Sequence, residues 1–124
     1  MRCPWGHQYN AFGYGQHESN LWPSLIRSAQ DGSDFCMTEG QQVRDFIPVV
    51  DVANHFVYAA LDQQLREGSP FVANLGSGNP VTVREFAELW WNTFKAKGNL
   101  KIGSIPYREN EIMRFVPSLI PAYI

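Results

Sequence analysis

The sequence predicts a mixed α/β fold with three principal helices and short strands. Three observations lead there: apolar residues recur at helical spacing in three windows, short β-branched and aromatic runs lie between those windows, and capping or glycine residues punctuate the boundaries. The chain has 124 residues, 44% hydrophobic and 18% charged, which gives one globular domain room for a core and leaves no room for a complete two-domain enzyme.

Residues 1–8 show neither alternation nor helical period and read as a loose terminus. Residues 9–16 alternate aromatics with Gly13 and Gly15, as a tight loop does where the backbone approaches something closely. Asn20 is positioned to cap a first helix with Leu21, Trp22, Leu25, Ile26 and Ala29 on one side, Pro23 in its first turn and Gly32 after its end. Residues 35–38 and 43–49 flank Glu39-Gly40, and the simplest arrangement is two strands joined through that turn. Asp51 then caps a second helix that carries Ala53, Phe56, Val57, Ala60, Leu61 and Leu65 and closes at Gly68, with His55 beside the stripe. Residues 71–75 read as a buried strand between Pro70 and Gly76.

The third helix has the clearest start. Thr82 and Glu85 make a capping box, and Val81 and Phe86 occupy the staple positions. Val83, Phe86, Ala87, Trp90 and Phe94 form its buried stripe, and Gly98 terminates it. Residues 100–105 resemble a last strand, followed by a polar loop at 106–111 and an apolar tail.

A net charge of −2 gives no electrostatic reason to expect a nucleic-acid partner, and no apolar run of 18 residues marks a membrane span. Met1 to Asn10 lacks the basic-then-apolar order of a leader, so the expectation is a cytoplasmic protein. Cys3 and Cys36 are expected as free thiols, and no spacing of Cys and His suggests a metal.

Gly76-x-Gly78 between a strand and a helix invites comparison with a dinucleotide-binding turn. Val81 stands at the third glycine position, Pro80 removes a donor, and no acid follows about 20 positions on, so the turn reads as a structural connection. The charged residues in apolar surroundings are more informative. Arg44 in a strand, and Arg108 with Glu111 in a loop, need either an internal salt bridge (Arg44 to Asp45, Arg108 to Glu111) or an anionic ligand.

The order of segments bears on that choice. Asn10-Ala11-Phe12-Gly13-Tyr14-Gly15-Gln16, Asn20-Leu21-Trp22-Pro23, Arg44-Asp45-Phe46-Ile47 through Asp51-Val52-Ala53, Asn74-Leu75-Gly76-Ser77-Gly78 and Arg108-x-x-Glu111 follow one another. This succession resembles the C-terminal half of the extended short-chain dehydrogenase/reductases, the NAD-dependent nucleotide-sugar epimerases and dehydratases. The resemblance covers residues 9–115 and leaves 116–124 as an apolar tail. It implies that Asn10 reaches the sugar–pyrophosphate region, that Asn20 and Leu21 contact the nucleotide, that Arg44 and Arg108 approach the diphosphate, and that Glu111 approaches the nucleoside sugar.

The same resemblance implies an N-terminal Rossmann half with NAD and a Tyr-x-x-x-Lys pair. No tyrosine here has a lysine four residues later. The expectation is therefore a substrate-binding portion with no catalytic residue and no cofactor of its own, NAD belonging to the complete enzyme. Residues 4–8 make a poor counterpart of the arginine-bearing strand that leads into the family's asparagine loop, and no polar helix follows Arg108-x-x-Glu111, so both ends read as truncated. A nucleotide sugar is the expected ligand. The alternatives are a self-associating structural module and one half of a split enzyme whose other polypeptide is the Rossmann half.

Overall fold

A computed structural model describes residues 10–62, 68, 71–119 and 122–123. In chain order the elements are β1 (Ala11–Phe12), α1 (Leu21–Asp31), β2 (Phe35–Met37), β3 (Val43–Arg44), β4 (Ile47–Pro48), α2 (Val49–Leu61), β5 (Phe71–Val72), β6 (Val81–Thr82), α3 (Val83–Thr93), β7 (Leu100–Ile102), β8 (Arg114–Phe115) and β9 (Ala122–Tyr123). The mixed α/β architecture with three helices and short strands is the one the periodicities predict.

Helices α1 and α3 carry the core between them. Leu25 and Ala29 of α1, Met37 of β2, and Ala87 and Trp91 of α3 form one cluster, backed by Phe35, Leu100 and Ile102 from the parallel pair β2–β7. Trp22, Ile26 and Phe86 form a second cluster, against which Phe12, Phe46, Val81 and Trp90 pack. The rings of Phe46 and Phe86 are stacked, with centroids 3.8 Å apart, while Phe12 meets Phe86 and Trp90 edge-on. The four predicted apolar positions of α1 beyond Leu21 are all buried, and Gly32 ends the helix in the left-handed conformation at φ +72°.

The capping box of α3 is complete. Thr82 Oγ1 accepts from the Glu85 N–H, and the Glu85 carboxylate accepts from the Thr82 N–H. Of the expected stripe, Phe86 and Ala87 are buried, Val83, Trp90 and Phe94 are half-buried, and Trp91 is buried although the periodicity did not single it out. The N–H groups of Val83 and Arg84 donate to the carbonyls of Gln42 and Gly40, which lays the segment before β3 across the start of α3.

Several local expectations are corrected. Residues 35–38 and 43–49 do not pair across the Glu39-Gly40 turn. β2 pairs in parallel with β7, β3 lies between β6 (antiparallel) and β8 (parallel), and β4 pairs in parallel with β1. Long-range partners outcompete the hairpin because the α3 N-terminus occupies the polar groups of Gly40 and Gln42. Asn20 stands at the N-cap of α1 but makes no side-chain cap bond; its carbonyl accepts from the Ser24 N–H and hydroxyl. Asp51 lies in the first turn of α2, not at its cap, and that helix ends at Leu61 with Asp62 as C-cap. Leu65 lies outside the described residues, as do residues 1–9.

The 71–75 segment is a two-residue strand rather than a buried one. β5 pairs with β9, and Val72 is exposed. β7 is likewise not the last strand, since β8 and β9 follow it in the apolar C-terminal segment. No described helix is long and apolar enough to cross a membrane.

Candidate substrate-binding site

The loop after β1 is closed by Gln16, whose side chain accepts from the Gly13 N–H and donates to the Ala11 carbonyl. Gly13, at φ +153°, lies so close to α2 that an added Cβ would sit 2.6 Å from Val49 Cγ1, so this turn requires glycine. Asn10 adopts φ +49°, a left-handed conformation that asparagine tolerates, and its carbonyl accepts from the Ile47 N–H. That bond joins the loop to β4. The α1 N-terminus comes up beside it, and Asn10, Asn20 and Leu21 line one cavity of about 200 Å³ together with Gln16, Trp22 and the Phe46–Phe86 pair. Three of the six residues singled out from sequence therefore converge here.

The other three do not line that cavity: Arg44 is in β3, and Arg108 and Glu111 are in the loop that precedes β8. The Arg44 guanidinium donates to the carbonyls of Val43 (2.9 Å) and Ile112 (2.7 Å) and lies 3.6 Å from a Glu111 carboxylate oxygen. Gln42 is buried, and its amide nitrogen donates to the same Glu111 oxygen at 3.3 Å. Neither of the two internal pairs considered from sequence forms: Glu111 takes Arg44 in place of Arg108, and Asp45 turns away to the Gly76–Gly78 loop. Arg108 and Glu111 are instead linked through their backbones, in a turn where the Glu111 N–H donates to the Arg108 carbonyl and Asn110 has φ +62°. The turn leaves Arg108 exposed, with no ion pair among the described residues.

Phe46 connects the two groups, since it lines the cavity and stands two residues from Arg44. Gln16, Gln42 and Phe46 were not read as site residues from sequence. Gln42, a polar residue immediately before a strand, offered a weak signal, and Gln16 and Phe46 stand inside segments that carry the resemblance without a role being implied for them.

The Gly76-Ser77-Gly78 turn is bound to Asp45. The N–H groups of Ser77 and Gly78 donate to the Asp45 carboxylate, and the Asn79 N–H donates to Ser77 Oγ, so the donors that would hold a pyrophosphate are engaged within the chain. Among the described residues no group of three or more His, Cys, Asp or Glu side chains could hold a metal ion.

The profile of the NAD dependent epimerase/dehydratase family matches residues 4–76, more than half of the chain. The chain is 30% identical over 108 residues to CDP-abequose synthase of Salmonella typhimurium, covering 84% of this chain and 36% of that protein. It is 35% identical over 80 residues to UDP-glucose 4-epimerase of Rhizobium meliloti, covering 64% and 24%. Among solved structures, UDP-N-acetylglucosamine 4-epimerase from Methanobrevibacter ruminantium, in complex with UDP-N-acetylmuramic acid, superposes with a TM-score of 0.70 at 23% identity over 89% of this chain and 35% of that one. The chain belongs to the NAD-dependent epimerase/dehydratase family, and its fold is that of the corresponding part of the extended short-chain dehydrogenase/reductases. It spans about a third of the length of the relatives it matches over most of its own length.

Proposed function

We propose that this chain supplies the substrate-binding portion of a nucleotide-sugar epimerase or dehydratase. It provides diphosphate and nucleoside contacts, with the hydride chemistry of NAD carried by a part of the enzyme outside this sequence. The observation that supports the reading most is the convergence of Asn10, Asn20 and Leu21 on one cavity whose wall, through Phe46, leads to Arg44. In this reading Asn10 and Asn20 donate amide hydrogens to the sugar and diphosphate. Arg108 is the open cation, five N–H donors in a planar fork suited to phosphate oxygens. Arg44 adds the guanidinium hydrogens not used internally, and Glu111, aimed by Gln42 and Arg44, accepts from ribose hydroxyls.

Calorimetry of the folded chain with UDP-, dTDP-, CDP- and GDP-sugars tests this. Saturable heat with at least one supports binding, and no heat with any overturns it.

A second reading is favoured by α2. None of its residues is buried, and Phe56, Tyr58 and Leu61 are 67%, 71% and 71% exposed. An apolar helix of this kind is ordinarily covered. In this reading the chain is a self-associating module that buries α2 against a second copy. A mass that rises with concentration in light scattering supports it.

A further inference from the structure

We infer that Asp45 is a positioning residue that holds the two parts of the candidate site in register. The inference deepens the binding reading above and depends on it only for the affinity measurement.

Asp45 is 1% exposed, and among the described residues no lysine, arginine or histidine pairs with it. A carboxylate withdrawn from water without a cation needs a full set of hydrogen-bond donors. The Gly76–Gly78 loop provides them. One carboxylate oxygen accepts from the Ser77 N–H at 2.9 Å and from the Ser77 hydroxyl, and the other accepts from the Gly78 N–H at 3.0 Å. The approach is close enough that a Cβ on Gly76 would stand 2.6 Å from Asp45 Oδ2 and 2.8 Å from Pro117 Cγ. Two motifs that are far apart in the sequence, Arg44-Asp45-Phe46 and Gly76-Ser77-Gly78, are thereby locked together through the buried Asp45 carboxylate.

The place of the lock gives it a role beyond holding a loop. Asp45 stands at the junction where β3 ends and β4 is about to begin. On its β3 side, Arg44 meets Glu111 and the Val43 N–H donates to the Met113 carbonyl, which ties in the turn that bears Arg108. On its other side, Phe46 stacks on Phe86 at the cavity wall, and Ile47 pairs with Ala11 of β1 and donates its N–H to the Asn10 carbonyl. Asp45 and Phe46 are the two residues between these two short pairings, each only two residues long. Pairings so short have little resistance to slippage of their own. A carboxylate anchored from a third segment fixes this junction, and with it the placement of Arg44 relative to Phe46 and Asn10.

The test uses the full chain with Asp45→Asn and Ser77→Ala, UDP as the calorimetric probe, and amide hydrogen exchange. Asp45→Asn keeps the shape but turns an amide NH₂ toward backbone donors, and Ser77→Ala removes only the hydroxyl donor. We expect UDP affinity to fall about tenfold in Asp45→Asn and about threefold in Ser77→Ala, as for loss of charge-assisted bonds. Exchange is expected to quicken at the Val43 and Ile47 amides on both sides of the lock, while the central amides of α1 and α3 keep their protection. Quickening confined to Ser77 and Gly78, with Val43 and Ile47 unchanged, overturns the inference. If the unsubstituted chain binds no UDP, exchange alone decides the positioning role, and the ligand reading stands or falls on the four nucleotide sugars named above; if Asp45→Asn does not fold, Ser77→Ala carries both measurements.

Discussion

Arg44 and Glu111 face each other at 3.6 Å between β3 and the loop that leads into β8, and both side chains are largely withdrawn from solvent. The guanidinium is held by two carbonyls as well, and the carboxylate by Gln42. Arg44→Ala leaves the half-buried Glu111 carboxylate without its cation, held by Gln42, and removes a donor from two carbonyls, so we expect urea denaturation to show a loss of about 1–3 kcal/mol. Arg44→Lys recovers the charge but not the fork, and should restore only part of that loss. Equal stability of Arg44→Ala and the parent chain would refute this account of the pair.

Arg108 makes the opposite case. It is exposed and unpaired among the described residues, so Arg108→Ala should leave stability within about 0.5 kcal/mol, as at other surface positions. Its effect should fall on ligand: any nucleotide-sugar affinity seen by calorimetry is expected to drop about tenfold with the loss of a charge-assisted contact. Undiminished affinity would remove Arg108 from the site.

Leu25 is fully buried between α1 and α3. Leu25→Ala should cost about 2–5 kcal/mol, the range for a large-to-small change that leaves a cavity. Thermal denaturation followed by circular dichroism measures it, and a shift near zero would place the core elsewhere.

Asp34 clamps the β2–β7 pair. The Asn99 N–H, donated to its carboxylate at 2.8 Å, and then the Lys101 ammonium at 3.3 Å hold its pKa below the ordinary aspartate value. A depressed carboxylate pKa contributes stability that is present above the unfolded-state value and fades as pH falls through the lower folded-state value. Because the group is exposed, the contribution is small and salt-sensitive. Comparison of Asp34→Asn with the parent chain should show a stability deficit at neutral pH that shrinks on acidification below the ordinary aspartate range. A deficit that grows with acid would reverse the assigned sign.

Helix α2 carries the prediction for association. If its exposed Phe56, Val57 and Leu61 meet a second copy, Phe56→Glu should lower the light-scattering mass toward that of one chain at micromolar concentration while leaving helicity unchanged. A parent chain that is monomeric throughout that range argues against self-association.

Local chemistry accounts for what was legible in the residues. The α1 stripe of Trp22, Leu25, Ile26 and Ala29, its Gly32 stop and the Thr82–Glu85 capping box depend on contacts within a turn or on one helical face, and each lies where periodicity and capping rules place it. Segment order likewise pointed to the epimerase/dehydratase family, which the profile over residues 4–76 supports. Strand partners were not legible, because a two-residue pairing leaves almost no periodic trace and its partner is chosen by whatever the helices bring alongside: β7 for β2, β8 and β6 for β3. The Arg44–Glu111 pair and the Asp45–Ser77 lock belong to the same category. Residue types announced that these charges needed partners; the packing of distant segments chose among the candidates, since desolvation makes the partner a property of three-dimensional neighbourhood rather than of proximity along the chain.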